Sequence, residues 1–167
     1  MNLLKPLSVF ILLISIISCG DKTSEQEITL APPDVSTNNE VTKLEQLINL
    51  PVKPVWIKWE VTKVTKPVGK LGTDDWSIVA RMALDSGDIK ILTVTPLPNK
   101  IVKLPAYAVK PWMEDIIAAN FKPDETGDFY IPQGTMLSAE QFYRDPLLTG
   151  AIYMISETEI LLFLQTE

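Results

Sequence analysis

The sequence predicts an α+β domain: a mostly antiparallel sheet of about five strands drawn from two hairpins, with two or three short helices packed on one face. Three observations carry this. Residues 55–64 alternate as a strand, with Val55, Ile57, Trp59 and Val61 on one side and Trp56, Lys58, Glu60 and Thr62 on the other. Ile160-Leu161-Leu162-Phe163-Leu164 is apolar on both sides, as a strand covered on both faces is, which places it centrally. Between these stretches the pattern turns helical, so the order is strand hairpin, helices, strand hairpin.

Each element has its own warrant. Thr42 to Leu50 predicts a short helix: Thr42 and Glu45 have capping-box spacing, Leu44, Leu47 and Ile48 share a face, and Pro51 and Pro54 stop it. After the strand at Val55 to Val64, Pro67, Gly69, Gly72 and Asp74-Asp75 mark a broad loop. Trp76 to Leu84 predicts a second strand, with Trp76, Ile78, Ala80, Met82 and Leu84 on one face and Ser77 and Arg81 on the other. Asp85-Ser86-Gly87-Asp88 reads as a tight hairpin turn returning through a third strand at Ile89 to Thr95. Pro96 to Ala108 carries three prolines and connects. Pro111 to Asn120 predicts a helix, with proline in the first turn, Glu114 and Asp115 near its positive end, and Met113, Ile116, Ile117 and Phe121 as its buried stripe. A short strand is expected at Phe129 to Ile131, and a short helix at Ser138 to Tyr143 closed by Pro146. Ala151 to Ile155 and Ile160 to Gln165 predict a last hairpin across residues 156–159.

Composition bounds the chemistry. The chain has 15 basic and 21 acidic residues, a formal net charge of −6, one cysteine and no histidine. The acidic balance disfavours nucleic acid, which needs a lysine and arginine excess. Lacking histidine, the chain lacks the commonest general base and the commonest transition-metal ligand. One cysteine permits no disulfide within the domain, so the fold must stand on apolar burial.

The N-terminus suggests an address. Met1 to Lys5 is short and carries one positive charge, and Leu7 to Ile17 is apolar but for Ser8 and Ser15. This is the layout of a secretory signal, and the run is short for a span of roughly 30 Å of hydrocarbon. Ile16-Ile17-Ser18-Cys19 resembles the lipobox of bacterial lipoprotein precursors. The resemblance implies cleavage before Cys19 and a diacylglyceryl group on its thiol. It covers residues 1–20 and says nothing of the domain behind them. Gly20, rather than Asp, after the cysteine resembles lipoproteins forwarded to the periplasmic face of the outer membrane rather than kept on the inner membrane. The competing reading is a single-span anchor with an incidental thiol. Residues 19–41, rich in Ser, Thr, Asn, Glu and Pro, then read as a flexible tether, and residues 42–167 as one globular domain.

No catalytic signature stands out. There is no G-x-S-x-G elbow and no S-x-x-K spacing. Gly69 to Thr73 faintly resembles a phosphate loop but lacks its first glycine and precedes a strand, so it reads as a turn. No cofactor is expected. Glu60, Asp74, Asp75, Glu114, Asp115, Asp124 and Asp128 are the acids available for a carboxylate pair, which a glycosidase needs at roughly 5–9.5 Å. Each also has an ordinary reading in a turn, at a helix start or on a solvated face. Asp124 and Asp128 alternate as oxygen ligands do in a calcium loop, without its sixth-place glycine or closing glutamate. Trp59, Trp76 and Trp112 read as core. Trp56 differs, because it shares its face with Lys58 and Glu60, and an exposed tryptophan among charges is a contact candidate unless a helix covers that face too. The expectation is therefore a lipid-anchored, non-enzymatic binding or assembly module with an envelope protein or glycan partner. The alternatives are a carboxylate-based hydrolase of wall or extracellular glycans, and an acidic inhibitor or immunity protein facing a basic enzyme.

Overall fold

The computed structural model describes residues 39–64, 75–92 and 101–166. The expected signal peptide, Cys19, the tether up to residue 38, Gly69 to Thr73, Asp74 and the end of the expected third strand at residues 93–95 lie outside the described residues.

The chain runs α1 (Val41–Leu44), β1 (Trp56–Lys63), β2 (Trp76–Ala83), α2 (Ser86–Leu92), β3 (Leu104–Pro105), α3 (Glu114–Asn120), β4 (Phe121–Pro123), β5 (Phe129–Pro132), β6 (Met136–Ser138), β7 (Leu147–Met154) and β8 (Glu159–Thr166). Short 3-10 turns occupy Ala106–Ala108, Pro111–Met113 and Glu140–Phe142. The main sheet has the order β1-β2-β8-β7-β6, and a smaller one the order β3-β5-β4. Every pairing is antiparallel, as an α+β domain of this kind requires.

β8 is the middle strand, as its two-sided apolar run demands. Ile160, Leu162 and Leu164 enter one core with Ile57, Trp59 and Met82 under α1, α2 and Phe142. Leu161 and Phe163 enter a second core with Val79 and Tyr153 under Leu104, Met113, Ile116 and Phe121. Both faces are thus covered, and helices pack on both rather than on one. Among the described residues no helix is long and apolar enough to cross a membrane.

The β7–β8 hairpin forms as expected. The hairpin expected over residues 76–95 does not. Ser86–Leu92 is helical, and the Asp85 carbonyl accepts from both Asp88 N (3.0 Å) and Ile89 N (3.1 Å). A short apolar run such as Ile89-Lys90-Ile91-Leu92 satisfies either period. The helix buries Ile89 and Leu92 and leaves Ile91 outside, whereas a strand would have put Ile89 and Ile91 together. β2 instead pairs with β1 and β8, with Ala83 opposite Trp56 on one side and Glu159 on the other.

Smaller departures have similar causes. α1 is only four residues long, yet Leu44 and Ile48 are buried as its stripe predicts. Ser138 ends β6 rather than opening a helix, and its hydroxyl accepts from Glu140 N at 3.3 Å, a local turn that competes with the helical start. Val55 is not on the core side of a strand, since the strand begins at Trp56.

Candidate binding surface

β1 is an edge strand, and its alternation sends Trp56, Lys58 and Glu60 to the same side as Val79, the side covered by residues 101–132. The cover is incomplete along the strand. Pro111–Met113 lies over the middle. Trp112 is therefore half-buried rather than core, with Lys58 Nζ 5.4 Å from its ring centroid and its Nε1 donating to Glu60 Oε2 at 3.2 Å. Lys110 Nζ pairs with Glu60 Oε1 at 3.1 Å, and both side chains are largely shielded. The solvated strand face expected for Glu60 is thus an ion pair under a turn.

Trp56, at the open end, stays 43% exposed beside Val55 at 67%. Its ring is held from behind by Arg81, whose guanidinium carbon lies 5.6 Å from the centroid. Arg81 is itself fixed. Its Nε donates to Glu159 Oε1, and its Nη1 donates to Asp115 Oδ2 at 3.0 Å and Oδ1 at 3.2 Å. The Glu159 hydrogen bond raises the Arg81 pKa further, against burial, with Asp115 adding to it. The guanidinium is thus a permanent cation, and the indole sits over it in a cation–π contact. A groove of about 430 Å³ adjoins the ring, walled by Asn39, Val41, Pro54 and Val55.

Three of the candidate acids are committed to cations. Glu60 faces Lys110, Asp115 faces Arg81 and Asp124 faces Lys103 at 3.1 Å. Asp124 Oδ1 also accepts from Thr126 Oγ1 and Gly127 N, both at 3.0 Å, so the loop closes around that carboxylate. Partial desolvation pulls the Asp124 pKa up, but Lys103, Thr126 and the Phe129 N–H together hold it below the usual carboxylate range. Among the described residues no group of three His, Cys, Asp or Glu side chains converges as metal ligands. Asp128 is one of the residues that line a pocket beside this loop, together with Lys103.

That pocket, of about 580 Å³, is a feature the sequence reading missed. The β3–β5 pairing sets Pro105 opposite Phe129, and Ala106 N donates to the Asp128 carbonyl at 2.8 Å. Tyr107 and Phe129 are thereby brought to one mouth, over a floor of Phe163, Gly150 and Gln165. The available signal was an aromatic in a connector, Tyr107, and another opening a short expected strand within a loop, Phe129, where a core role is not the default.

No protein-family description, no curated protein and no solved structure matches the chain.

Proposed function

We propose that this chain is a lipid-anchored, non-enzymatic binding module of a bacterial cell envelope, tethered through Cys19 and contacting an envelope protein through Trp56. Ile16 to Cys19 supports the anchor, as a small residue and the lone cysteine directly after an apolar run. At least two acyl chains are needed for stable anchoring, which diacylglyceryl attachment supplies. The observation that carries the contact role is Trp56 itself. A half-exposed indole is clamped over Arg81 while Glu60, further along the same strand face, is covered. Such an anchor loses little freedom on binding, and tryptophan beside a groove is a frequent interface hot spot. The pairing of Glu60, Asp115 and Asp124 with cations speaks for a structural role of these acids rather than a catalytic pair.

The test has two readouts on the protein produced in a lipoprotein-processing bacterium. Mass spectrometry of the mature chain should find Cys19 as first residue, carrying lipid. A photo-crosslinking residue at position 56 should give one discrete envelope adduct, absent when it is placed at Glu157 in the exposed β7–β8 turn. A mature chain without lipid mass overturns the anchor. Equal labelling from both positions overturns the contact surface.

A further inference from the structure

Beyond the Trp56 surface, and independent of whether the chain carries lipid, we infer that the pocket beneath Tyr107 and Phe129 binds a neutral saccharide of more than one ring. Its volume of about 580 Å³ falls inside the range of roughly 300–1,000 Å³ usual for small-molecule sites.

The lining chooses the ligand class. Tyr107 and Phe129 are 37% and 40% exposed, an unusual pairing at one mouth. Aromatic faces offer a platform for the C–H face of a sugar ring, which is apolar where its hydroxyl rim is not. Hydroxyl partners stand on the same walls. Asp128, an exposed residue that carries a carboxylate, is on the wall. Gln165 accepts the Tyr107 hydroxyl at 3.2 Å through Oε1, which fixes the amide and leaves its N–H donors for a ligand.

Charge excludes the rivals. Lys103 is the cation on the wall, and it is already matched by Asp124 at 3.1 Å while lying 5.7 Å from the Phe129 centroid. Asp128 then leaves the site with an unmatched negative charge, which repels phosphates and fatty-acid carboxylates. A purely apolar ligand would displace water from the Gln165 N–H donors without replacing its hydrogen bonds.

The site also continues past the aromatic. A second cavity of about 140 Å³ lies on the other side of Tyr107, walled by Val64, Asp75 and Thr166 and sharing Gln165 with the first. Tyr107 and Gln165 thus form a low partition between two adjoining hollows, an arrangement that suits consecutive units of one chain better than a compact ligand.

Isothermal titration of the full mature chain tests this, using glucose, cellobiose, cellotetraose, N-acetylglucosamine and its tetramer, with inorganic phosphate and palmitate as rivals. At least one neutral oligosaccharide should bind with a dissociation constant below millimolar, and its monosaccharide at least tenfold more weakly. Tyr107→Ala and Asp128→Asn should each weaken it tenfold or more with the thermal midpoint kept. Trp56→Ala should leave it unchanged. Phe129→Ala serves as the second aromatic variant if Tyr107→Ala lowers the midpoint. The inference falls if no saccharide in the set binds, if phosphate or palmitate binds in their place, or if saccharide binding survives these substitutions.

Discussion

A single buried hydroxyl shows what the second core costs. Tyr153 is 1% exposed, its ring meets Phe121 edge-on at 5.2 Å, and its phenolic oxygen has no hydrogen-bond partner among the described residues. The ring packs, but the hydroxyl loses water and gains nothing. Removing only that oxygen should therefore help: Tyr153→Phe is expected to raise stability by about 1 kcal/mol, the lower end of the cost of an unsatisfied buried polar group. Burial also pushes the phenol well above its ordinary range. A raised folded pKa means stability that is intact below the unfolded value, near pH 10, and lost as pH climbs from there toward the folded one. Urea midpoints at pH 7 and above pH 10 check both parts. The variant should start higher and lose less with alkali, and a lower midpoint at pH 7 would show that the oxygen has a partner after all. At this scale the sequence was legible where neighbours decide the outcome and opaque where distant residues do. Trp56 on its own strand face was open to either outcome, exposed among charges or covered by a helix, and it stays 43% exposed. Glu60 was not readable as buried, because Lys110 and Trp112, its covers, are some fifty residues away in the chain and no periodicity links them.

Glycines separate two kinds of element. Gly87 lies in the first turn of α2, has no positive φ, and a Cβ there would meet nothing within 4 Å. Gly150 lies in β7 just past the register shift between Leu147 and Thr149. A Cβ at Gly150 would stand 2.0 Å from the Phe163 carbonyl oxygen and 2.9 Å from Leu164 Cδ2. Backbone of the central strand cannot yield without breaking the ladder that holds both cores. The same substitution should thus have opposite signs. Gly87→Ala should stabilise by about 0.5–1 kcal/mol, as alanine does in a helix. Gly150→Ala should cost about 3 kcal/mol, the upper end of ordinary overpacking. Chemical denaturation of the two variants reads both. Destabilisation by Gly87→Ala would restore the hairpin turn that Asp85 to Asp88 suggests from composition. That turn was misread because Asp, Ser and Gly open helices as readily as they close hairpins, and four apolar-rich residues are too few to fix a period. Elements with longer patterns were legible. β1 alternates over eight residues, β2 keeps Trp76, Ile78, Ala80 and Met82 on one buried face, and Met113, Ile116, Ile117 and Phe121 bury as one stripe.

Across the whole molecule, the long strands of the main sheet and the α3 stripe are legible, and how the covering layer is laid over the sheet is not. The central position of β8 follows from its two apolar faces. Of the β3-β5-β4 sheet only β5 is expected from the sequence, at Phe129 to Ile131; β3 and β4, of two and three residues, are too short to announce themselves, so the pocket the sheet builds was invisible too. What fastens that layer is visible only in three dimensions. Apolar burial does most of it, and two ion pairs cross the seam, Arg81 to Asp115 and Glu60 to Lys110. A third, Lys103 to Asp124, ties the layer to itself. These make the layer sensitive to acid in a calculable direction. For Asp115, partial desolvation pulls the carboxyl up, but the Arg81 guanidinium and the Ile116 N–H outweigh it and hold the pKa below its ordinary range, as Lys103 and Thr126 do for Asp124. A depressed folded pKa gives stability that is complete above the unfolded value, about 3.9 for aspartate, and disappears as pH falls through the folded one. The wild-type urea midpoint should accordingly be level from pH 7 to near 5 and drop below about pH 4. Asp115→Asn and Asp124→Asn should each begin lower at pH 7 and fall less steeply, so that the curves converge with the wild type in strong acid. Asp115 is mostly exposed, which keeps its share small and makes it fade in high salt. Asp124 is itself more covered, but the Lys103 side chain is 44% exposed, so its share should weaken in salt as well. Curves that stay parallel down to strong acid would mean that neither carboxylate is held by its cation in solution, and that apolar contact alone keeps the layer on the sheet.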